Sequence, residues 1–211
     1  MKVLDLFSGA GGAAMGLHRA WPDAEIIGVD IVNQPRYPFR FVQADAMTFP
    51  LEGYDFIWAS PPCQAHSVAS IVHKNNGKIY QNFIPETRER LLASGLPFVI
   101  ENVFGAPLKF PVILCGLMFG LPIFRHRLFE CSWPMLFPRC SHKGKRIGEG
   151  YYSIAGGAGR WKSWGRIHKG VSKGTRVQWR DAMGIDWMLR RELTQAVPPA
   201  YSEFIARQFQ K

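Results

Sequence analysis

Short apolar runs and polar turns alternate along this chain, with helical patterns between them. Residues 2–7 (KVLDLF) read as a buried strand, the turn Gly9-Ala10-Gly11-Gly12 follows, and residues 13–20 read as a helix. A second strand spans residues 26–29 and ends at Asp30; a short third one at 41–42 precedes Asp45. The run 56–59 leads into Pro61-Pro62-Cys63. Residues 85–94 have a proline in the first turn and Gly95 behind them, the punctuation of a helix. Residues 98–100 form a fifth strand ending at Glu101, and 125–130 alternate like a further one. Near the end, Phe204, Ile205 and Phe209 recur at helical spacing. This alternation predicts an α/β fold with a mainly parallel sheet.

Five chemistry-bearing residues fall just after predicted strands: Gly9, Asp30, Asp45, Cys63 and Glu101. In an open parallel sheet those strand ends line the ligand crevice. A Gly-x-Gly turn before a helix lets a nucleotide approach the backbone and the free amides of the helix start. A carboxylate at the end of the next strand suits a ribose diol, which places Asp30. NAD enzymes, flavoproteins and S-adenosylmethionine enzymes all share that pattern. Asp45 reads either as a partner for an adenine amino group or as a loop cap. Cys63 follows two stiffening prolines, although an isolated cysteine is by default a small buried hydrophobe.

The 211 residues suffice for one domain with a sizeable core. The formal charge of +10 changes the picture more. Between Arg139 and Arg176 lie ten basic residues, one acidic residue and nine glycines, with Tyr151, Tyr152, Trp161 and Trp164 among them. Cations neutralise phosphates, glycines permit close approach and aromatics stack on bases, so this segment reads as a nucleic-acid contact. The four cysteines show no C-x-x-C pair and no secreted framework. Cys131, Cys140 and His142 match no common zinc spacing, so no metal is expected, and His126 reads as incidental. The apolar uncharged run 110–124 is broken by prolines and glycines and is too short for a membrane span. No signal-peptide layout opens the chain, and a soluble, cytoplasmic, monomeric protein is expected.

Four short motifs stand in a telling order: DLFSGAGG at 5–12, PPCQ at 61–64, ENV at 101–103 and RHR at 125–127. With WRDAMGIDW at 179–187 and LTQAVPPAYSEFIARQF at 193–209, the chain resembles the cytosine-5 DNA methyltransferases, most of all their small, phage-type members. The resemblance implies a Rossmann-like class I S-adenosylmethionine-dependent methyltransferase fold, with helices on both faces of the sheet. It implies a catalytic domain at 1–131 and 179–211, and a small basic, glycine-rich target-recognition insert at 132–178. It implies S-adenosylmethionine as cofactor, held by Phe7, Gly9, Gly11, Asp30, Asp45, Pro62, Ala196 and Val197. Cys63 is the implied nucleophile, Glu101 the group on the cytosine ring, and Arg127, with Arg125 beside it, the holder of the base. DNA is the implied partner, met by Gln64, Ser67, Lys74 and Lys78 from a mobile loop at 65–81 and by Arg160, Lys162, Arg166 and Lys169 from the insert.

The chain departs from the family pattern at Ile123, where a glutamine usually stands, at Gln195, where an asparagine does, and in the small size of its insert. The same chemistry on RNA is a near alternative. A silent nucleic-acid-binding protein on the same fold is an alternative of another class, and an NAD oxidoreductase leaves PPCQ and ENV unused.

Overall fold

The computed structural model describes residues 1–66, 80–154, 161–163, 166–168 and 174–209. Strands β1 (Lys2–Leu6), β2 (Glu25–Asp30), β3 (Arg40–Gln43), β4 (Phe56–Ala59), β5 (Phe98–Asn102), β6 (Val112–Leu114) and β7 (Arg127–Cys131) form one sheet, ordered β3-β2-β1-β4-β5-β7-β6. The first five pair in parallel; β7 runs antiparallel to both β5 and β6. A separate antiparallel hairpin, β8 (Trp161–Ser163) and β9 (Arg166–His168), lies in the basic segment.

Side chains on a strand alternate between faces, and the core divides accordingly. Val3, Ile26, Phe56, Trp58, Val99 and Phe129 pack on one face under α1 (Gly12–Ala20) and the last helix, Pro199–Arg207. Leu4, Leu6, Ile57, Ala59, Phe98 and Ile100 pack on the other, with Leu91 of α2 (Ile84–Ser94). Helices thus cover both faces, as expected. The helix α3 (Arg176–Met183) starts on a capping box between Thr175 and Gln178. A short turn of helix, α4 (Arg190–Leu193), leads to α5 (Pro199–Arg207). Helix α1 meets α5 at Gly16, where a Cβ would collide with the Pro199 carbonyl and the Ser202 hydroxyl. A third cluster joins Trp179, Met183, Met188 and Leu193 to Ala10 of the glycine turn.

Three boundaries differ from those the sequence pattern predicts. Strand β5 continues through Glu101 and Asn102, because these residues pair with Phe129 and Leu128 of β7. Glu101 therefore lies within a strand rather than after one. Strand β7 starts at Arg127, so Arg125 precedes it. Strand β6 falls inside the uncharged run and owes its order to pairing with β7, a long-range contact that local pattern does not encode.

Candidate active site

The glycine turn is built on positive backbone angles at Phe7 (φ 55°), Gly9 (φ 49°) and Gly11 (φ 82°). The Gly9 amide donates to Asp30 Oδ2 at 2.9 Å, and the Val32 amide donates to Oδ1 at 2.9 Å. Asp30 thus ties the end of β2 to the turn after β1. A Cβ on Gly9 would meet nothing within 4 Å, so the surface above this backbone is open. Gly11 is closed in by Pro38 and the Tyr37 ring, and it starts α1 without a side-chain cap. Trp187 holds the turn from the C-terminal block, its indole N–H donating to the Ala10 carbonyl at 2.8 Å. Val197 is buried with its carbonyl against Gly12, and Ala196 packs onto the cluster that contains Ala10. The two distant blocks expected around a cofactor therefore meet.

Asp45 is exposed, and its Oδ1 accepts the Met47 amide at 2.9 Å, the loop-capping arrangement. Sequence reasoning missed Ile31 and Val32, which stand 67% and 61% exposed directly after Asp30. Two apolar residues behind a strand-end acid are the signal that could have found them.

The second group of residues forms around Cys63. Glu101 on β5 and Arg127 on β7 share one face, since Glu101 pairs with Phe129 two residues beyond Arg127. Their ion pair has Arg127 Nε 2.9 Å from Glu101 Oε1, with both side chains largely buried. Burial pushes the Glu101 carboxyl up; Arg127, Arg125 and a hydrogen bond with the Ser60 side chain oppose that rise. Burial also raises the Cys63 thiol, and the Glu101 charge adds to the effect, while Arg127 and Arg125 pull it down. These mutual influences place the thiol, the carboxyl and the two guanidinium groups in one electrostatic cluster. Pro62 is half-buried beside Cys63, and Gln64 is exposed.

Arg125 is 3% exposed and looks away from open space. Its Nη2 donates to the Thr194 carbonyl at 2.9 Å and its Nη1 to the Ile154 carbonyl, while Nε has no partner among the described residues. Burial and the neighbouring Arg127 lower its pKa to about 9. Its backbone carbonyl accepts the Tyr201 hydroxyl at 2.6 Å. Arg125 thereby joins the Cys63 cluster to the C-terminal block.

Among the residues expected to meet nucleic acid, Ser67, Lys74, Lys78, Arg160 and Lys169 lie outside the described residues. So does most of the 65–81 loop. Lys162 and Arg166 fall on β8 and β9. Among the described residues, no helix is long and apolar enough to cross a membrane.

The sequence matches no family model and no curated protein. The structure is similar to that of a methyltransferase of Entamoeba histolytica, EhMeth, with TM-score 0.58 and 13% identity, over 97% of this chain and 96% of that one. The chain has a class I S-adenosylmethionine-dependent methyltransferase fold. It also matches an RNA methyltransferase of Salinibacter ruber, solved with S-adenosyl-L-homocysteine, at TM-score 0.34 and 16% identity over 66% of this chain and 84% of that one.

Proposed function

We propose that this protein transfers a methyl group from S-adenosylmethionine to carbon 5 of cytosine in DNA, through a covalent adduct on Cys63. The observation that carries the reading is the largely buried Glu101–Arg127 ion pair on the sheet, with the next residue, Asn102, hydrogen-bonded to the Pro61 carbonyl of the loop that carries Cys63. A thiol, an acid with a raised pKa and a fixed cation are the three groups that chemistry needs.

The residues at the strand ends fit the cofactor. The open backbone over Gly9 would admit its methionine and sugar, with Phe7 and Gly11 shaping the turn. Asp30 keeps lone pairs for the ribose hydroxyls beyond the two amides it accepts. Exposed Ile31 and Val32 would cover the adenine, with Asp45 at its edge. Pro62, Ala196 and Val197 would close the pocket. When bound, S-adenosylmethionine supplies an electrophilic sulfonium methyl.

Cytosine carbon 5 is a poor nucleophile until carbon 6 has a thiolate on it. The Cys63 sulfur would bond to carbon 6, and the ring's electron pair would move to carbon 5. Carbon 5 would then take the methyl and release the thioether. Solvent water would take the carbon-5 proton, the C–H electron pair would re-form the ring double bond, and the carbon–sulfur pair would leave on Cys63 as thiolate. Glu101, whose carboxyl burial raises towards the protonated form, would donate to the ring nitrogen when it carries its proton, as charge builds there. Arg127 would hold the carboxyl and the base carbonyl, and Arg125 would support both. The base must leave the stack to reach these groups, at a cost of a few kcal/mol. Phosphate contacts from the 132–178 insert and from Gln64, Ser67, Lys74 and Lys78 would offset it.

DNA containing 5-fluorocytosine tests the adduct, because fluorine at carbon 5 blocks the elimination. With S-adenosylmethionine present we expect a denaturant-stable protein–DNA cross-link that Cys63→Ser abolishes. No cross-link in any sequence context would overturn the mechanism. Competition between DNA and RNA for labelled methyl transfer distinguishes the two nucleic acids. Bisulfite sequencing of host DNA after expression reports position and sequence context.

A further inference from the structure

Four side chains outside the Cys63 cluster converge on one point. Cys115 follows β6, His126 immediately precedes β7, and Cys140 and His142 lie two residues apart in the chain that leaves β7. One ligand atom from each lies within 4.8 Å of every other. Cys140 Sγ is 2.9 Å from His142 Nε2 and 3.6 Å from His126 Nε2; Cys115 Sγ is 3.5 Å from His142 Nε2. Two sulfurs approach the same nitrogen, and one sulfur approaches two nitrogens. Pairwise hydrogen bonds do not explain that, because a ring nitrogen offers one proton or one lone pair. Ligands arranged around a common centre do.

From this geometry we infer that Cys115, His126, Cys140 and His142 form a structural zinc site. Zinc bonds sulfur at about 2.3 Å and imidazole nitrogen at about 2.0–2.1 Å, so tetrahedral ligand atoms stand roughly 3.3–3.8 Å apart. The observed separations run from 2.9 Å to no more than 4.8 Å, two of them at 3.5 and 3.6 Å, so side-chain rotations bring all four atoms onto one ion. Two thiolates with two imidazoles are the donor set of structural zinc, and with four protein ligands no position is left for substrate. Two thiolates also neutralise the divalent ion, so the centre adds no charge to a segment that already carries Lys143 and Lys145. The rings are held: His142 packs edge-on to Phe124 at 4.9 Å between centroids and tilts against His126 at 4.9 Å. Cys115 is fully buried.

Spacing along the sequence predicts no metal, because common zinc patterns bring their ligands in two close pairs. Here one pair is local, and the other two ligands come from the ends of β6 and β7. The location gives the ion a purpose. His126 stands between Arg125 and Arg127, and Cys140 and His142 belong to the start of the basic segment. A metal at this point fastens that segment to the strand carrying Arg127, in a fold too small to give the insert a core of its own. The zinc site does not depend on the methyl-transfer reading.

The test uses the full chain, purified reduced from zinc-supplemented culture. Elemental analysis should find about one zinc per chain. After chelation, Co²⁺ alone should produce the visible bands of a tetrahedral ion and a thiolate-to-metal charge-transfer band near the ultraviolet. Cys140→Ser and His142→Ala should lose zinc, and Cys131→Ser, which removes a thiol outside the cluster, should keep it. Metal-free wild-type protein that also shows no charge-transfer band with Co²⁺ would overturn the site. A Cys115–Cys140 disulfide in freshly isolated protein, or zinc retained undiminished by both variants, would overturn it as well. The cobalt spectrum of the wild type keeps the question open to refutation even if a variant fails to fold.

Discussion

Asn102 Nδ2 donates to the Pro61 carbonyl at 2.8 Å, in a buried bond that ties β5 to the loop ending in Cys63. The same side chain accepts the Val103 amide through Oδ1 at 2.9 Å. One asparagine therefore sets the distance between the strand carrying Glu101 and the loop carrying the thiol. Asn102→Ala leaves the Pro61 carbonyl buried without its partner, at a cost of about 1–3 kcal/mol. We expect a matching loss in denaturant unfolding and slower cross-linking to 5-fluorocytosine DNA at saturating DNA. Unchanged stability with unchanged cross-linking would show that the loop is held by something else.

Glu101 predicts an unusual pH profile. Its carboxyl is raised mainly by burial, so the protonated, donating form persists above the ordinary carboxylate range and is lost as pH rises through the raised value. Cys63 needs the opposite, because its thiolate accumulates only as pH approaches the raised thiol value. In the wild type these requirements oppose each other, and the rate should level off above the Glu101 pKa. Glu101→Gln keeps a donor that does not titrate. Its rate should fall about 10²- to 10⁴-fold and should continue to climb with pH into the thiol range. Parallel profiles for the two proteins would remove Glu101 from the protonation step.

Much of this arrangement is legible in the chain. The runs KVLDLF and FIWA and the helix between Pro85 and Gly95 show their character locally, and strands β1, β4 and helix α2 appear where those patterns stand. The glycine turn and Asp30 are legible for the same reason, as their spacing follows from one strand, one turn and one helix. What the chain does not display is anything created by pairing across it. Asn102 reads as the tail of a motif, yet its partner is 41 residues away. Arg125 and Arg127 read as equivalents, but strand β7 starts between them; one faces Glu101 while the other bonds the carbonyls of Ile154 and Thr194. The Cys115 and His126 partners of Cys140 are invisible in the sequence for this reason too.

Arg36 and Glu192 join the chain after β2 to helix α4. Arg36 Nε lies 2.9 Å from Oε2 and Nη2 lies 2.5 Å from Oε1, a two-pronged pair. Hydrogen bonding to Arg36 holds the Glu192 carboxyl below its ordinary value. A depressed carboxylate contributes stability above its unfolded pKa of about 4.3, and that contribution disappears as pH falls through the folded value. Glu192→Gln should therefore melt below the wild type at neutral pH, and the difference should close as pH falls below the carboxylate range. A difference that persisted in acid would assign the effect to packing instead of charge.

The excess of positive charge lies between Arg139 and Arg176, where the hairpin of β8 and β9 carries Lys162 and Arg166 in its strands. If these cations neutralise DNA phosphates, each one releases a condensed counterion, and the logarithm of the binding constant falls with the logarithm of salt by about 0.9 per phosphate on duplex DNA. Changing Arg160, Lys162, Arg166 and Lys169 together to glutamine should weaken binding at low salt and flatten the slope by about 0.9 for each phosphate no longer neutralised. Hydrogen bonds to base edges would behave differently, lowering affinity for a preferred sequence while leaving the slope nearly intact. Fluorescence anisotropy titrations over a range of salt concentrations, on one preferred and one arbitrary duplex, separate the cases. Equal weakening on both duplexes with a flatter slope places these residues on the backbone. An unchanged slope would move the phosphate contacts to another part of the surface.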